Sequence, residues 1–378
     1  MFEFIYWLLS YVVPFLAVLT VIIFVHEMGH YLVARWNGVA IQTFSIGFGK
    51  ELVGWDDRHG TRWRISAIPL GGYVRFVGDM NASSAPDVEA IANADPELAP
   101  RLFANKNVWQ RMSVVAAGPI ANVILTFLIL YALLLGYGRY TIPPVVGEVI
   151  AGSVAEAAGI EKGDIIVSVD GYAVRGFEDF QRLVATSPER QVTIELDRGS
   201  ESQTIVLVPE ATQVEDRFGN SQRIGRIGVS RDVAETDVTL YRPGPVEAVG
   251  MTFEEIRFIV QRTAAFLGDF FVGRGDVEQL GGPVKVARVS GEVATLGIVA
   301  LINLTALLSL NIGIFNLLPV PMLDGGHLMY YLVEAVRGRP LSMKVQEIGF
   351  RFGFALVLAL MVFTLFNDTL FAYLRTLS

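Results

Sequence analysis

Apolar residues in this chain fall into two arrangements, long unbroken runs toward its ends and short alternating runs in its middle. Phe4 to Val25 is an uncharged run of 22 residues. Crossing the hydrocarbon core of a bilayer takes about 20 residues, so this run predicts a spanning helix over Phe4 to Ala34. Met112 to Gly138, Val293 to Leu323 and Phe352 to Leu374 predict three more. The last holds 16 uncharged residues up to Asn367 before Asp368 interrupts it, and it fits a span with Asp368 at the far interface.

Pro144 to Glu210 reads differently. Runs at Val145 to Ile150, Asp164 to Val169, Gln191 to Leu196 and Thr204 to Val208 predict strands, Gly176 to Ala185 predicts a helix, and Ile224 to Val229 can complete the sheet. From Pro245 to Phe271 apolar positions recur at helical spacing among charges, which predicts an amphipathic helix. Between the first two spans, Trp63 to Phe76 forms two extended runs about a Pro/Gly turn, a β-hairpin that either dips toward the first span or lies at the surface. At membrane depth such a strand edge requires a surrounding of protein or a water-filled cavity. Asn81 to Pro100 reads as a loop, and His59 as a solvated turn residue.

Composition agrees with the membrane class. Of 378 residues, 52% are hydrophobic and 18% charged, with a mean hydropathy of +0.46. Cysteine is absent, which excludes disulfides, thiolate metal ligands and a Cys nucleophile. The fold class is thus a polytopic α-helical membrane protein of about four spans with an inserted α+β domain. The corresponding boundaries are 1–138, 139–235, 236–292 and 293–378.

The net charge of −8 is concentrated in the insert: Arg139 to Glu292 holds 16 Lys+Arg against 24 Asp+Glu, and the remainder 14 against 14. No clustered basic surface suggests nucleic acid. Nine Lys and Arg lie between spans one and two, and Arg337, Arg339, Lys344 and Arg351 follow span three, whereas the first ten residues have none. The positive-inside rule makes both connections cytoplasmic and places both termini and the insert outside. Without a positive n-region the N-terminal run reads as a retained span rather than a signal peptide.

The first span ends in His26-Glu27-Met28-Gly29-His30. Residues four apart on a helix share a face, so two imidazoles project together and suit zinc, and the neighbouring carboxylate can take a proton from water. A short motif can also arise by chance, and a buried histidine is more often a hydrogen-bonded core residue. Here two of only four histidines occupy this turn, where unpaired ionisable groups in hydrocarbon are costly. His30 precedes Arg35 by about 7 Å along a helix, on the cytoplasmic side. Span three ends in Asn316-Leu317-Leu318-Pro319-Val320-Pro321-Met322-Leu323-Asp324-Gly325-Gly326-His327, where two prolines force the backbone to unwind. Catalytic zinc takes three protein ligands, and Asp324 is the better third candidate, with His327 as its competitor. Gly118-Pro119-Ile120-Ala121-Asn122 in the second span reads as a close-packing helix surface, with Asn122 either in that packing or near the site.

Within the insert, Ser153 to Ile166 and Val169-Asp170-Gly171 resemble a bacterial PDZ domain, a module that binds extended peptides at a sheet edge. Together with His26 to His30, Gly118-Pro119-x-x-Asn122 and Asn316-x-x-Pro319-x-Pro321-x-Leu323-Asp324-Gly325, the chain resembles the site-2 family of intramembrane zinc metalloproteases, of the bacterial regulator of sigma-E type. The resemblance implies zinc on His26, His30 and Asp324, Glu27 as general base, and Asn316 holding the substrate backbone. It also implies that Gly71, Gly72, Tyr73 and Val74 belong to a membrane-reentrant β-hairpin that clamps the substrate, and that Gly281 to Val284 continue the region after the PDZ domain. By the same resemblance the substrate is a single-span membrane protein of the anti-sigma factor type, already cut outside, or a signal-peptide remnant. The location is then the bacterial inner membrane, and the process regulated intramembrane proteolysis in an envelope stress response. Where the best-known member has two PDZ domains, this chain has one. A membrane metal-ion transporter and a catalytically inactive PDZ scaffold are the alternatives.

Overall fold

The structure is a computed structural model that describes residues 8–79, 95–215, 221–231, 238–271 and 281–377. The chain divides into two compact units, residues 1–130 with 259–378, and residues 131–258.

In the first unit, a π-helical turn at Leu8–Val12 leads into α1 (Val13–Trp36). Pro14 lies in its first turn, where no N–H is needed for the helix. Two long bent strands follow, β1 (Ile41–Asp56) and β2 (Arg62–Phe76), and then α2 (Val108–Tyr137). Both ends of β2 pair with the same part of β1: Phe44 faces Val74 and Trp63, and Ser45 faces Tyr73 and Arg64, while Trp63 also faces Trp55. The strand segments therefore lie in the order 51–56, 62–66, 43–46, 72–76, which leaves 72–76 at an edge among the described residues. The alternation in Trp63 to Phe76 predicts a hairpin closed on itself, whereas its two arms flank β1 instead. The reason is Phe44, which is fully buried. It stacks on Trp63 at 4.3 Å between ring centroids and meets Phe24 and Tyr31 edge-on. A central strand position buries that ring, worth about 3 kcal/mol, where an edge would not.

The turn between β1 and β2 is pinned to α1 through Asp57. Its carboxylate accepts from the Tyr31 hydroxyl at 2.8 Å, the Trp63 indole at 3.1 Å and the backbone N–H groups of His59 and Thr61. Burial pushes this carboxyl up, but those four donors hold it well below the usual carboxylate range. Tyr31, Phe44, Val74, Phe76, Phe103 and Val114 form one core cluster, against which Leu328 and Tyr331 pack.

The second unit begins with β3 (Arg139–Thr141), β4 (Glu148–Val149) and the single turn α3 (Val154–Ala157), capped by Ser153. Next come β5 (Ile165–Val169), β6 (Tyr172–Ala173), α4 (Phe177–Ala185), β7 (Val192–Arg198) and β8 (Glu201–Leu207). Then follow β9 (Glu210–Glu215), β10 (Ser221–Arg226), β11 (Val229–Ser230), β12 (Thr239–Tyr241) and α5 (Pro245–Phe271), whose end passes into the first unit. Its main sheet has the order β6-β5-β7-β8. Ile224 to Val229 does not complete that sheet, since β10 pairs with β9 and β11 with β4. Val145 to Ile150 is mostly not strand: Val145 bridges Ile165, and only Glu148 and Val149 form a ladder. Within this unit α5 is held to α4 and the β6–α4 loop by Arg175–Glu254 at 2.7 Å and Arg182–Glu255 at 2.5 Å.

The chain returns through α6 (Pro283–Ala294), α7 (Ile298–Asn316), α8 (Asp324–Arg337) and α9 (Met343–Leu377). Four described helical segments are long and apolar enough to span a membrane: Leu8–Trp36, Val108–Tyr137, Ile298–Asn316 and Met343–Asp368. The third is shorter than Val293 to Leu323. At its start Gly297, at φ +105°, separates α6 from α7, and at its end the prolines unwind the chain. Asp368 caps α6, its carboxylate accepting from the N–H of Gly282 at 3.1 Å and of Lys285 at 3.0 Å. Of the loop expected at Asn81 to Pro100, residues 81–94 lie outside the described residues; 95–98 turn into a short 3-10 helix at Ala99–Arg101.

Candidate metal centre

His26 and His30 stand one turn apart on α1. The two Nε2 atoms are 3.2 Å apart. Asp324, the first residue of α8, places Oδ2 3.2 Å from His26 Nε2 and 3.6 Å from His30 Nε2. Tetrahedral zinc with nitrogen and oxygen ligands at its usual bond lengths requires donor separations of about 3.3 Å. Asp324 Oδ2 is buried, with the two imidazole nitrogens as its polar neighbours. The three donors lie 3.2–3.6 Å from one another, close to the separations tetrahedral zinc requires, and the set fits a zinc ion. His327 lines the same cavity one turn along α8, but it is not in the group whose donor atoms lie within 4.8 Å of one another.

Glycines explain how α1 and α2 come close enough. A Cβ on Gly118 would press into both imidazoles, 2.8 Å from His26 Cε1, and a Cβ on Gly29 would lie 2.8 Å from Ala121 Cβ. Through that contact His30 Nδ1 donates to the Val114 carbonyl at 2.8 Å, which turns Nε2 toward His26 and Asp324. Between α7 and α8 the unwound Leu317 to Leu323 includes Met322 at φ +94°, a sparsely populated conformation for a side-chain-bearing residue. It delivers Asp324 at a helix N-terminus, where a carboxylate is favoured.

A cavity of about 440 Å³ opens beside these donors. Glu27, Asn316, Gly71, Gly72, Tyr73 and Val74 all line it. Gly72 packs its backbone against α1: a Cβ there would stand 2.9 Å from Ile23 Cγ2 and 3.1 Å from Glu27 Cγ. The strand edge 72–76 therefore borders the cavity beside the Glu27 carboxylate. Several contributors are not marked by any motif. Phe48, Val115, Ile312 and Tyr331 also line the cavity, and Arg111 joins Glu334 across 223 positions of sequence. The apolar period of α8 and the length of β1 were the available signals, and neither names a partner. Three converging donors, an adjacent carboxylate and an open cavity are the parts of a hydrolytic metal site.

Comparison with known proteins agrees. The model of peptidase family M50 matches residues 14–360. A protein of Rhizobium meliloti whose name describes it as a zinc metalloprotease is 46% identical over 95% of this chain and 96% of its own length. One of Mesorhizobium japonicum with the same description is 48% identical over 95% of this chain and 98% of its own. Metalloprotease MmpA of Caulobacter vibrioides is 37% identical, covering 94% of each chain. This is a multi-pass membrane protein and a zinc metalloprotease, and the chain belongs to peptidase family M50, the site-2 protease family.

Proposed function

We propose that the protein is an intramembrane endopeptidase that hydrolyses a peptide bond in or near the transmembrane segment of single-span membrane proteins. His26, His30 and Asp324 hold the zinc. The chemistry zinc supplies when bound there is Lewis acidity toward a peptide carbonyl and toward water. Glu27 takes the proton of the attacking water and gives it to the leaving amine. Asn316 and the edge at Gly71, Gly72, Tyr73 and Val74 hold the substrate backbone. The observation that carries this is that segment 72–76, which among the described residues pairs with β1 on one side only, lines the cavity and meets Glu27 there, the Glu27 carboxylate accepting from the Val74 N–H in the place a substrate strand would take. A helical substrate hides its scissile bond, so it must unwind, and an added strand satisfies the freed backbone groups.

In this proposal β1 and β2 form a membrane-reentrant element, supported by the exposed Phe48, Leu52, Val53, Trp55, Ile65 and Ile68 on them. The insert 139–235 is a PDZ domain, supported by the sheet β6-β5-β7-β8 with α4, and 236–292 is the helical region after it. Residues 1–138 and 293–378 form the membrane part. Charge places both termini and the insert outside the bacterial inner membrane, with the metal toward the cytoplasm. The substrate is of the anti-sigma factor type, trimmed outside beforehand.

The test is cleavage of single-span proteins, with and without their outer domains, by purified enzyme. One zinc per chain is expected. Glu27→Gln should keep the zinc and lose cleavage, and substrates with Gly, Pro or Asn near the bond should be cut faster than a uniform poly-Leu span. Zinc-free wild type, or an active Glu27→Gln, rejects the enzyme mechanism, and equal cleavage of poly-Leu rejects the clamp.

A further inference from the structure

The imidazole of His30 has its tautomer fixed by the Val114 carbonyl, and His26 requires an equivalent. Facing His26 Nδ1 at 3.2 Å is the carboxamide of Asn122, two turns along α2 from Val114 and fully buried. As oriented, Asn122 Nδ2 points at Nδ1 and Asn122 Oδ1 is left buried with no partner. With a donor on Nδ1, a neutral His26 carries its proton on Nε2, and that proton excludes a cation from the point where the three donors converge. A carboxamide has nearly the same shape when turned by half a turn, so its oxygen can take the place of its nitrogen. Oδ1 then accepts from Nδ1–H, and Nε2 presents its lone pair to the metal.

We infer that Asn122 is the positioning residue of His26, its carboxamide oxygen accepting from Nδ1–H in the zinc-bound enzyme. This rests on the zinc site proposed above. α2 then supplies the outer partner of both imidazoles, a backbone carbonyl for one and a side chain for the other, with Gly118 between them giving the rings room. Outer partners of this kind orient a metal-binding histidine and raise its basicity, and their loss typically weakens metal binding by about 10–100-fold.

The packing role of position 122 is separable from this one. The backbone carbonyl of Asn122, not its side chain, accepts from Thr126 Oγ1 at 2.9 Å and from Ser309 Oγ at 3.0 Å, which joins α2 to α7. Those bonds persist in any substitution that keeps the helix.

The test measures zinc dissociation constants of the full-length protein by competition with a chromophoric chelator, together with unfolding of the metal-free protein. Asn122→Leu, close in size and without an acceptor, is expected to weaken zinc by about 10–100-fold. Asn122→Asp, which keeps the acceptor, should bind at least as tightly as wild type, and both metal-free variants should unfold near the wild-type temperature. Wild-type affinity in Asn122→Leu, or Asn122→Asp as weak as Asn122→Leu, overturns the inference. If Asn122→Leu does not fold, Asn122→Ala replaces it, and equal affinity in the Ala and Asp variants is the overturning result. His26→Ala separates the two levels. If it keeps the zinc, the metal site itself is refuted; if it loses the zinc while the Asn122 variants keep theirs, only the role of Asn122 is.

Discussion

Arg111 in the first turn of α2 and Glu334 near the end of α8 form an ion pair 2.5 Å long, with side chains only 14% and 15% exposed. The guanidinium also lies over the Tyr331 ring, 4.8 Å from its centroid, and donates to the Lys106 carbonyl. Since α8 begins with Asp324, this pair fixes the helix that carries the third donor. Breaking a buried pair from one side leaves a bare charge and costs about 3–5 kcal/mol. Glu334→Ala is expected to lower the unfolding temperature in micelles and to weaken zinc binding, and the exchange Arg111→Glu with Glu334→Arg to recover part of both. Wild-type zinc affinity in Glu334→Ala would show that Asp324 is held without this pair.

Gly118→Ala is expected to abolish stoichiometric zinc, because the added methyl group occupies the space of both imidazoles. Gly136→Ala, on the same helix with nothing within 4 Å of the new carbon, is the control and should keep one zinc per chain. Metal content after purification decides between them.

Asp368→Ala should destabilise the first unit by about 1–2 kcal/mol, the scale of a lost charge-assisted N-cap. Asp368→Asn retains an acceptor and should recover much of that. The measurement is thermal unfolding of the full chain. Unchanged stability in the Ala variant would show that water replaces the carboxylate at the start of α6.

In the second unit, Asp164 has a side chain 1% exposed and pairs with Arg198 at 2.8 Å. Burial pushes its carboxyl up, but the Arg198 guanidinium and the Glu161 N–H hold it below its ordinary value. A carboxyl lowered by folding adds stability that is fully present above the unfolded value, about pH 3.9, and is lost as pH falls through the folded one. Calorimetry should therefore show wild-type stability of the insert falling below about pH 4. Asp164→Asn should be less stable at neutral pH and flatter over that acid range. An equally steep acid limb in the variant would assign it to other carboxylates.

What the sequence discloses depends on whether a partner is local. The span beginning at α1, the helix Pro245–Phe271 and the His26 to His30 turn are legible because each is written in one continuous period. The sheet was harder. Phe44 pairs with both Val74 and Trp63, so the alternation of Trp63 to Phe76 shows two strands but not what lies between them. Asp368 reads as an interruption of the last span, yet its partners, Gly282 and Lys285, lie more than eighty positions away. At the candidate site, Glu27 and Asp324 stand in motifs. Val114 offers only a backbone carbonyl, which has no letter of its own, and Arg111 resembles any other basic flank.

The three converging donors come from opposite ends of the polypeptide, His26 at one and Asp324 at the other, with the whole insert translated between them. A ribosome that stalls inside the insert leaves a membrane-anchored fragment bearing both imidazoles and the Glu27 carboxylate but no third arm. With the ligand set proposed above, such a stub has two of the three donors, so the site becomes complete only after the insert has been made.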